Sequence, residues 1–115
     1  TTPLDVTDGI FFLKSDGATT ISFIVEKDST QSTLTLPNSL ADDTFMTLGF
    51  VYDPKDQKFH VYQNNVLAGT VVSTNAPDNE ELTVSFGIQN GAAAAKTLSV
   101  DYIGAHKERT AVTEL

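Results

Sequence analysis

A two-residue alternation of apolar and polar side chains constrains the fold of this chain more than any other feature. It recurs in four stretches, residues 20–25, 46–53, 82–89 and 97–102. Because an extended backbone points successive side chains to opposite faces, each stretch has one apolar face and one face rich in serine and threonine. This pattern is typical of antiparallel sheets that bury only one face.

Turn residues divide the chain into about eight short strands. The strongest turn signals are Ser15-Asp16-Gly17, Lys27-Asp28-Ser29, Asp53-Pro54-Lys55-Asp56 and Asn64-Asn65, the last suited to a two-residue hairpin loop. Strands are predicted at about 9–14, 18–26, 30–36, 46–52, 57–63, directly after Asn65, at 82–89 and at 97–102. No helical period is present. We therefore predict an all-β antiparallel sandwich or barrel.

The length and charge of the chain limit the classes of protein to which it can belong. The 115 residues suffice for one core, and we predict a single domain over residues 1–105 followed by a tail over 106–115. Seven Lys and Arg against fifteen Asp and Glu give a net charge of -8, which disfavours nucleic-acid binding. Cysteine is absent, and no apolar run approaches the roughly 20 residues that span a bilayer.

The two histidines carry no recognisable catalytic or metal-ligand spacing. His60 lies between Phe59 and Val61 on a predicted strand and faces away from both, whereas His106 begins the tail. Tyr62 shares the face of His60, while Tyr52 falls on the apolar side of its strand. We predict no catalytic, cofactor-binding or metal site, no cofactor and no enzymatic activity, with His60 and Tyr62 as the candidate surface contacts.

The acidic residues form no catalytic pair in the sequence. Most lie in loops or at strand ends, and the Glu-x-Asp-x-x-Glu pattern of sandwich-fold glucanases is absent. Two groups of loop residues are alternative calcium sites: Asp53 with Asp56, and Asp78 with Asn79 and Glu80. Neither group matches an EF-hand loop. The more general interpretation is a solvated acidic surface.

The segment TFMTLGFVYDPKDQKFHVYQNNVLAGTVV resembles the central hairpin of concanavalin A-like (laminin G-like) jelly rolls. In that family a strand ending in Val-Tyr-Asp precedes a Tyr-Val-Asn-Gly turn region. This chain has Val51-Tyr52-Asp53, followed by Val61-Tyr62-Gln63-Asn64 and then Asn65 in place of the glycine. The resemblance implies a jelly-roll β-sandwich.

Three further segments extend the resemblance to roughly residues 8–109. DGIFFLKSDGATTISFIVEKDST, PDNEELTVSFGIQNGAAAAKTLSVDYI and KER occur in the order seen in the C-terminal part of jelly-roll virion structural proteins of tailed bacteriophages. The resemblance implies a non-enzymatic protein at the particle surface, decorating or cementing a capsid. It also implies capsid or other virion proteins as partners, and homo-oligomers; it assigns no ligand residue.

Such virion proteins have further strands ahead of the segment that matches Gly9–Lys14. Either these strands belong to a segment ahead of Thr1 or another chain supplies them, and we expect the N-terminal strand or its neighbour to contact another protein chain. The alternative function is a carbohydrate-binding module that recognises glycans. The absence of tryptophan and of clustered aromatic residues on polar faces argues against it.

Overall fold

A computed structural model describes residues 6–15, 17–78, 99–101 and 103–105. The chain divides into two compact units, Thr1–Leu82 and Thr83–Leu115. The strands described below all belong to the first unit. In the second unit, residues 99–101 and 103–105 have no regular strand or helix and are exposed.

Two three-stranded antiparallel sheets make up the first unit. Sheet A has the strand order β1-β2-β3 and sheet B the order β4-β5-β6, so each sheet is formed by strands consecutive in the chain. The strands are β1 Gly9–Leu13, β2 Ser22–Lys27, β3 Thr30–Thr35, β4 Leu48–Asp53, β5 Lys58–Gln63 and β6 Val66–Val72. A 3-10 turn, Ser73–Asn75, follows β6. The predicted all-β class is therefore confirmed.

Positive backbone φ angles close two of the hairpins. Asn64 and Asn65, at φ 54° and 66°, join β5 to β6, as their residue types predict. Asp28 and Ser29, at φ 50° and 63°, join β2 to β3 in the same way. Two consecutive residues with positive φ match the right-handed twist of the flanking strands, which explains why both hairpins have two-residue loops.

The core-facing sides of both sheets contribute to one hydrophobic cluster. Its buried members are Ile21, Phe23, Val25, Leu36, Phe59, Val61 and Val71. The ring of Phe23 on β2 lies 5.9 Å from that of Phe59 on β5 and 5.2 Å from that of Phe50 on β4. These spacings are those of favourable tilted aromatic pairs. The alternation predicted for residues 20–25 thus buries Ile21, Phe23 and Val25, and that of 46–53 directs Phe50 toward the same core.

Tyr52 and Phe50 face this core from the edge strand β4, as the alternation predicts. The Tyr52 ring lies 4.9 Å from that of Phe59, yet Tyr52 and Phe50 keep 43% and 41% of their surface exposed. β4 pairs with β5 on one side, and within residues 6–78 no strand pairs with its other side. The same holds for β1, which pairs only with β2. The partial exposure follows from this edge position.

Gln63 is a buried polar residue at the end of β5. It is 1% exposed, its Nε2 donates to the backbone carbonyl of Asn38 at 2.9 Å, and its Oε1 accepts the Asn38 N–H at 3.0 Å. Its Nε2 also lies 3.0 Å from the sulfur of Met46. The side chain thus holds the connection between β3 and β4 against sheet B, with both of its polar atoms satisfied.

The predicted strands after residue 78 are not seen in the described residues. The strand at 82–89 lies outside them, as does the tail at 106–115. Residues 99–101, inside the strand predicted at 97–102, are irregular, so that part of the prediction is wrong. A single domain over residues 1–105 stays a prediction. Among the described residues, no helix is both long and apolar enough to cross a membrane.

Candidate functional site

The candidate site is the face of sheet B that points away from the core. Residues directly opposite each other on paired antiparallel strands share a face. Val51 pairs with His60 and His60 with Thr70, whereas the neighbouring pair Tyr52 and Phe59 belongs to the core side. We call this surface the His60 face and define it by Val51, Asp53, His60, Tyr62, Leu67 and Val72.

Aliphatic side chains on the His60 face are unusually exposed. Val51 is 59% exposed, and Leu67 and Val72 are each 51% exposed. A slipped register at Val61 and Tyr62 brings Leu67 opposite Tyr62, so that Ala68 becomes the extra residue of a β-bulge. Single exposed apolar residues are ordinary; here three of them lie on one face of the sheet, on the two strands that flank β5.

His60 and Tyr62 lie on the same face, as predicted, in the central strand of the sheet. Both residues are half-buried. Gly49 lies opposite Tyr62 on β4, and among the described residues no atom beyond its chain neighbours lies within 4 Å of the place where a Cβ at Gly49 would be. The residue paired with Tyr62 on β4 therefore has no side chain.

Two carboxylates come together with the imidazole of His60. One ligand atom from each of Asp53, Asp56 and His60 lies within 4.8 Å of the other two. Asp53 is the last residue of β4 and pairs with Lys58, so it is the diagonal neighbour of His60 on the same face. Asp56 reaches the group from the intervening turn, where it is exposed.

Along the chain His60 shares no recognisable ligand spacing with a carboxylate pair, yet the hairpin folds Asp53 back beside it. The Asp-Pro turn was the signal that could have found the group. A hairpin closed by residues 54–57 puts Asp53 opposite Lys58, and alternation then puts His60 on the same side.

Of the two acidic segments considered for calcium, only the first can be described in full. The Asp53 Oδ1 accepts the backbone N–H of Lys55 at 2.9 Å, and this hydrogen bond stabilises the turn. The other oxygen of the carboxylate, Oδ2, takes no part in it. Asp78 forms an ion pair with Lys27 at 2.8 Å, and residues 79 and 80 lie outside the described part of the chain. Asp53 and Asp56 thus belong to a mixed group with a histidine.

Comparison with known proteins yields no matching family model, and no curated protein or solved structure matches the chain either.

Proposed function

We propose that this chain is a non-enzymatic structural protein of a bacteriophage particle. In this proposal its sheets belong to a jelly-roll β-sandwich of the concanavalin A-like kind, and the protein decorates or cements the capsid at the virion surface. Capsid or other virion proteins are its partners, and it assembles as a homo-oligomer. The proposal begins from the ordered sequence resemblance over residues 8–109.

The observation that carries the proposal is the exposed aliphatic surface of the His60 face. Val51, Leu67 and Val72 are each more than half exposed on one face of a three-stranded sheet. Protein interfaces bury such residues together with aromatic ones, and Tyr62 lies among them. An open surface of this mixed kind favours recognition of another protein over enclosure of a small substrate.

The strand edges support the same function. Within residues 6–78, β1 and β4 each have one edge without a paired strand, and both carry aromatic residues toward the core. Phe12 on β1 lies 6.3 Å from Phe50 on β4, ring centre to ring centre. An added strand from another chain at either edge would pair with the backbone groups that no strand within residues 6–78 pairs.

The acidic surface fits an exterior position on the particle. A net charge of -8 repels packaged DNA, so the protein is expected on the outer side of the capsid shell. Repeated weak contacts at symmetry-related positions would give high avidity without a deep pocket.

The location of the chain in purified particles tests the proposal. Density for the chain at fixed symmetry sites on a capsid lattice is the expected result. Leu67→Lys and Val72→Lys should reduce particle occupancy, while Thr33→Lys, a change on β3 of sheet A, should leave it unchanged. Absence of the chain from particles, or equal occupancy for all three variants, would contradict the proposal.

A second candidate function, carbohydrate binding, is favoured by the environment of Tyr62. Its partner on β4 is Gly49, which has no side chain, and an aromatic ring can stack on the face of a pyranose. A glycan array decides between the two functions. Binding that is lost in Tyr62→Ala, by protein absent from particles, would favour the carbohydrate-binding module.

A further inference from the structure

We propose that Asp53, Asp56 and His60 form a binding site for one divalent transition-metal ion of the zinc class. The observation is the convergence of three ligand atoms, two carboxylate oxygens and one imidazole nitrogen, within 4.8 Å of one another. Bonds from zinc to such ligands are about 2.0–2.2 Å long, so two ligand atoms on one tetrahedral ion lie about 3.3–3.6 Å apart. Binding would therefore require side-chain rotations that bring the ligand atoms closer together than they lie in the ion-free arrangement.

The kind of ligand identifies the kind of ion. Calcium and magnesium prefer sites made entirely of oxygen atoms, whereas a neutral imidazole suits zinc, nickel and copper. His60 therefore selects a transition metal over calcium. Three protein ligands leave one position of a tetrahedral ion for water or for a donor from another molecule.

The hairpin prepares two of the three ligands. Asp53 and His60 lie on adjacent paired strands and on the same face, so their backbone positions are set by the sheet. The Lys55 N–H binds Oδ1 of Asp53 and leaves Oδ2 for an ion. Asp56, on the turn, can complete the site by rotation of its exposed side chain.

The neighbouring lysines, Lys55 and Lys58, form no ion pair with Asp53 or Asp56 among the described residues. The hydrogen bond that stabilises the turn uses only the Asp53 carboxylate, so the turn does not explain why Asp56 and His60 lie beside it. A solvated acidic surface does not explain the histidine. The presence of the imidazole is what distinguishes this group from the acidic loops elsewhere in the chain.

Isothermal titration of the full chain with zinc chloride in a non-chelating buffer tests the site, and native mass spectrometry gives the stoichiometry. We expect one zinc ion per chain and much weaker binding of calcium and magnesium. His60→Ala and Asp56→Asn should each weaken zinc binding at least about tenfold, since each removes a ligand. Asp56 is exposed, so its variant is expected to fold even if His60→Ala does not.

His106→Ala and Asp42→Asn are the matched controls. The first removes the second histidine of the chain, and the second removes an exposed acid from another loop. Both should bind zinc as the unchanged chain does. The proposal is overturned by undetectable zinc binding, by calcium binding tighter than zinc, or by zinc affinity that survives Asp56→Asn and His60→Ala. Particle association is a separate measurement, so failure of the metal site leaves the proposed function standing.

Discussion

Replacement of Gln63 by glutamate changes one buried donor into an acceptor while preserving the shape of the side chain. The native amide donates to the Asn38 carbonyl and accepts the Asn38 N–H, at 2.9 and 3.0 Å. The ionised carboxylate of the Gln63→Glu variant can still accept the N–H, but it turns a second oxygen toward the carbonyl. One hydrogen bond is lost, and a carboxylate is left buried at a position that is 1% exposed in the native chain.

The expected cost in free energy of unfolding is at least about 2 kcal/mol at neutral pH. About 1 kcal/mol comes from the lost hydrogen bond, and at least about 1 kcal/mol from burying a charged group without a full set of partners. With a urea m-value of about 2 kcal/mol per M, the unfolding midpoint should fall by at least about 1 M. Urea unfolding followed by far-UV circular dichroism measures this shift.

The difference between Gln63→Glu and the native chain should shrink in acid. A protonated carboxyl can donate to the Asn38 carbonyl, so burial and the carbonyl raise the folded-state pKa of the introduced group above its unfolded value. A raised folded pKa stabilises the protonated folded form. This stabilisation is present below the unfolded value of about 4.3 and is lost as the pH rises through the folded pKa.

Asn38→Ala is the matched control, because Gln63 binds the backbone of Asn38 and not its side chain. Its free energy of unfolding should remain within about 0.5 kcal/mol of the native value. An unchanged midpoint for Gln63→Glu at neutral pH would refute the argument that this amide anchors the β3–β4 connection. A large difference in unfolding midpoint between Gln63→Glu and the native chain that does not diminish in acid would refute the assignment of the Gln63 amide nitrogen as donor to the Asn38 carbonyl.

Four further substitutions test the packing and turns of the same unit. Phe23→Ala should lower the free energy of unfolding by about 3–5 kcal/mol in chemical denaturation, because Phe23 is fully buried between both sheets; a loss under about 1 kcal/mol would contradict the shared core. Gly69→Ala should lower the free energy of unfolding by about 1–3 kcal/mol, since its Cβ would lie 3.0 Å from the Leu34 side chain. Gly49→Ala should lower it by under about 1 kcal/mol, since among the described residues no atom beyond its chain neighbours lies within 4 Å of the added Cβ. Equal thermal denaturation midpoints for the two alanine variants would contradict this difference. Asn65→Gly should raise the midpoint by the equivalent of about 0.5–1 kcal/mol, because φ there is 66°, and a lowered midpoint would show that the asparagine side chain matters more than the backbone.

The strands within residues 9–72 could be predicted because their signals are local. Alternation and turn residues indicate each strand to within a few residues; the largest error is at β2, predicted to begin at about 18 and observed from Ser22. Irregular structure at residues 99–101 shows the limit of that argument. An alternating segment becomes a strand only when a neighbouring strand supplies its hydrogen bonds, and alternation alone does not provide one.

The candidate site was predicted in part. His60 and Tyr62 share a face because a period of two requires it, and the sheet confirms this placement. The approach of Asp53 and Asp56 to His60 was missed, although all three lie within eight residues of sequence. Strand register brings these residues together, and the number of residues between them along the chain does not reveal the distance between their side chains.

The sequence by itself determined the all-β class, the positions of the hairpins and the alternation that separates the core face from the His60 face. Each of these depends on the backbone conformation of adjacent residues, which residue type strongly biases. Only the tertiary structure decided that Gln63 is buried against Asn38, that Gly69 makes room for Leu34, and that three ligand atoms meet beside β5. Those outcomes depend on strand register and on distances between segments that folding brings together, which the periodicity of one segment does not specify.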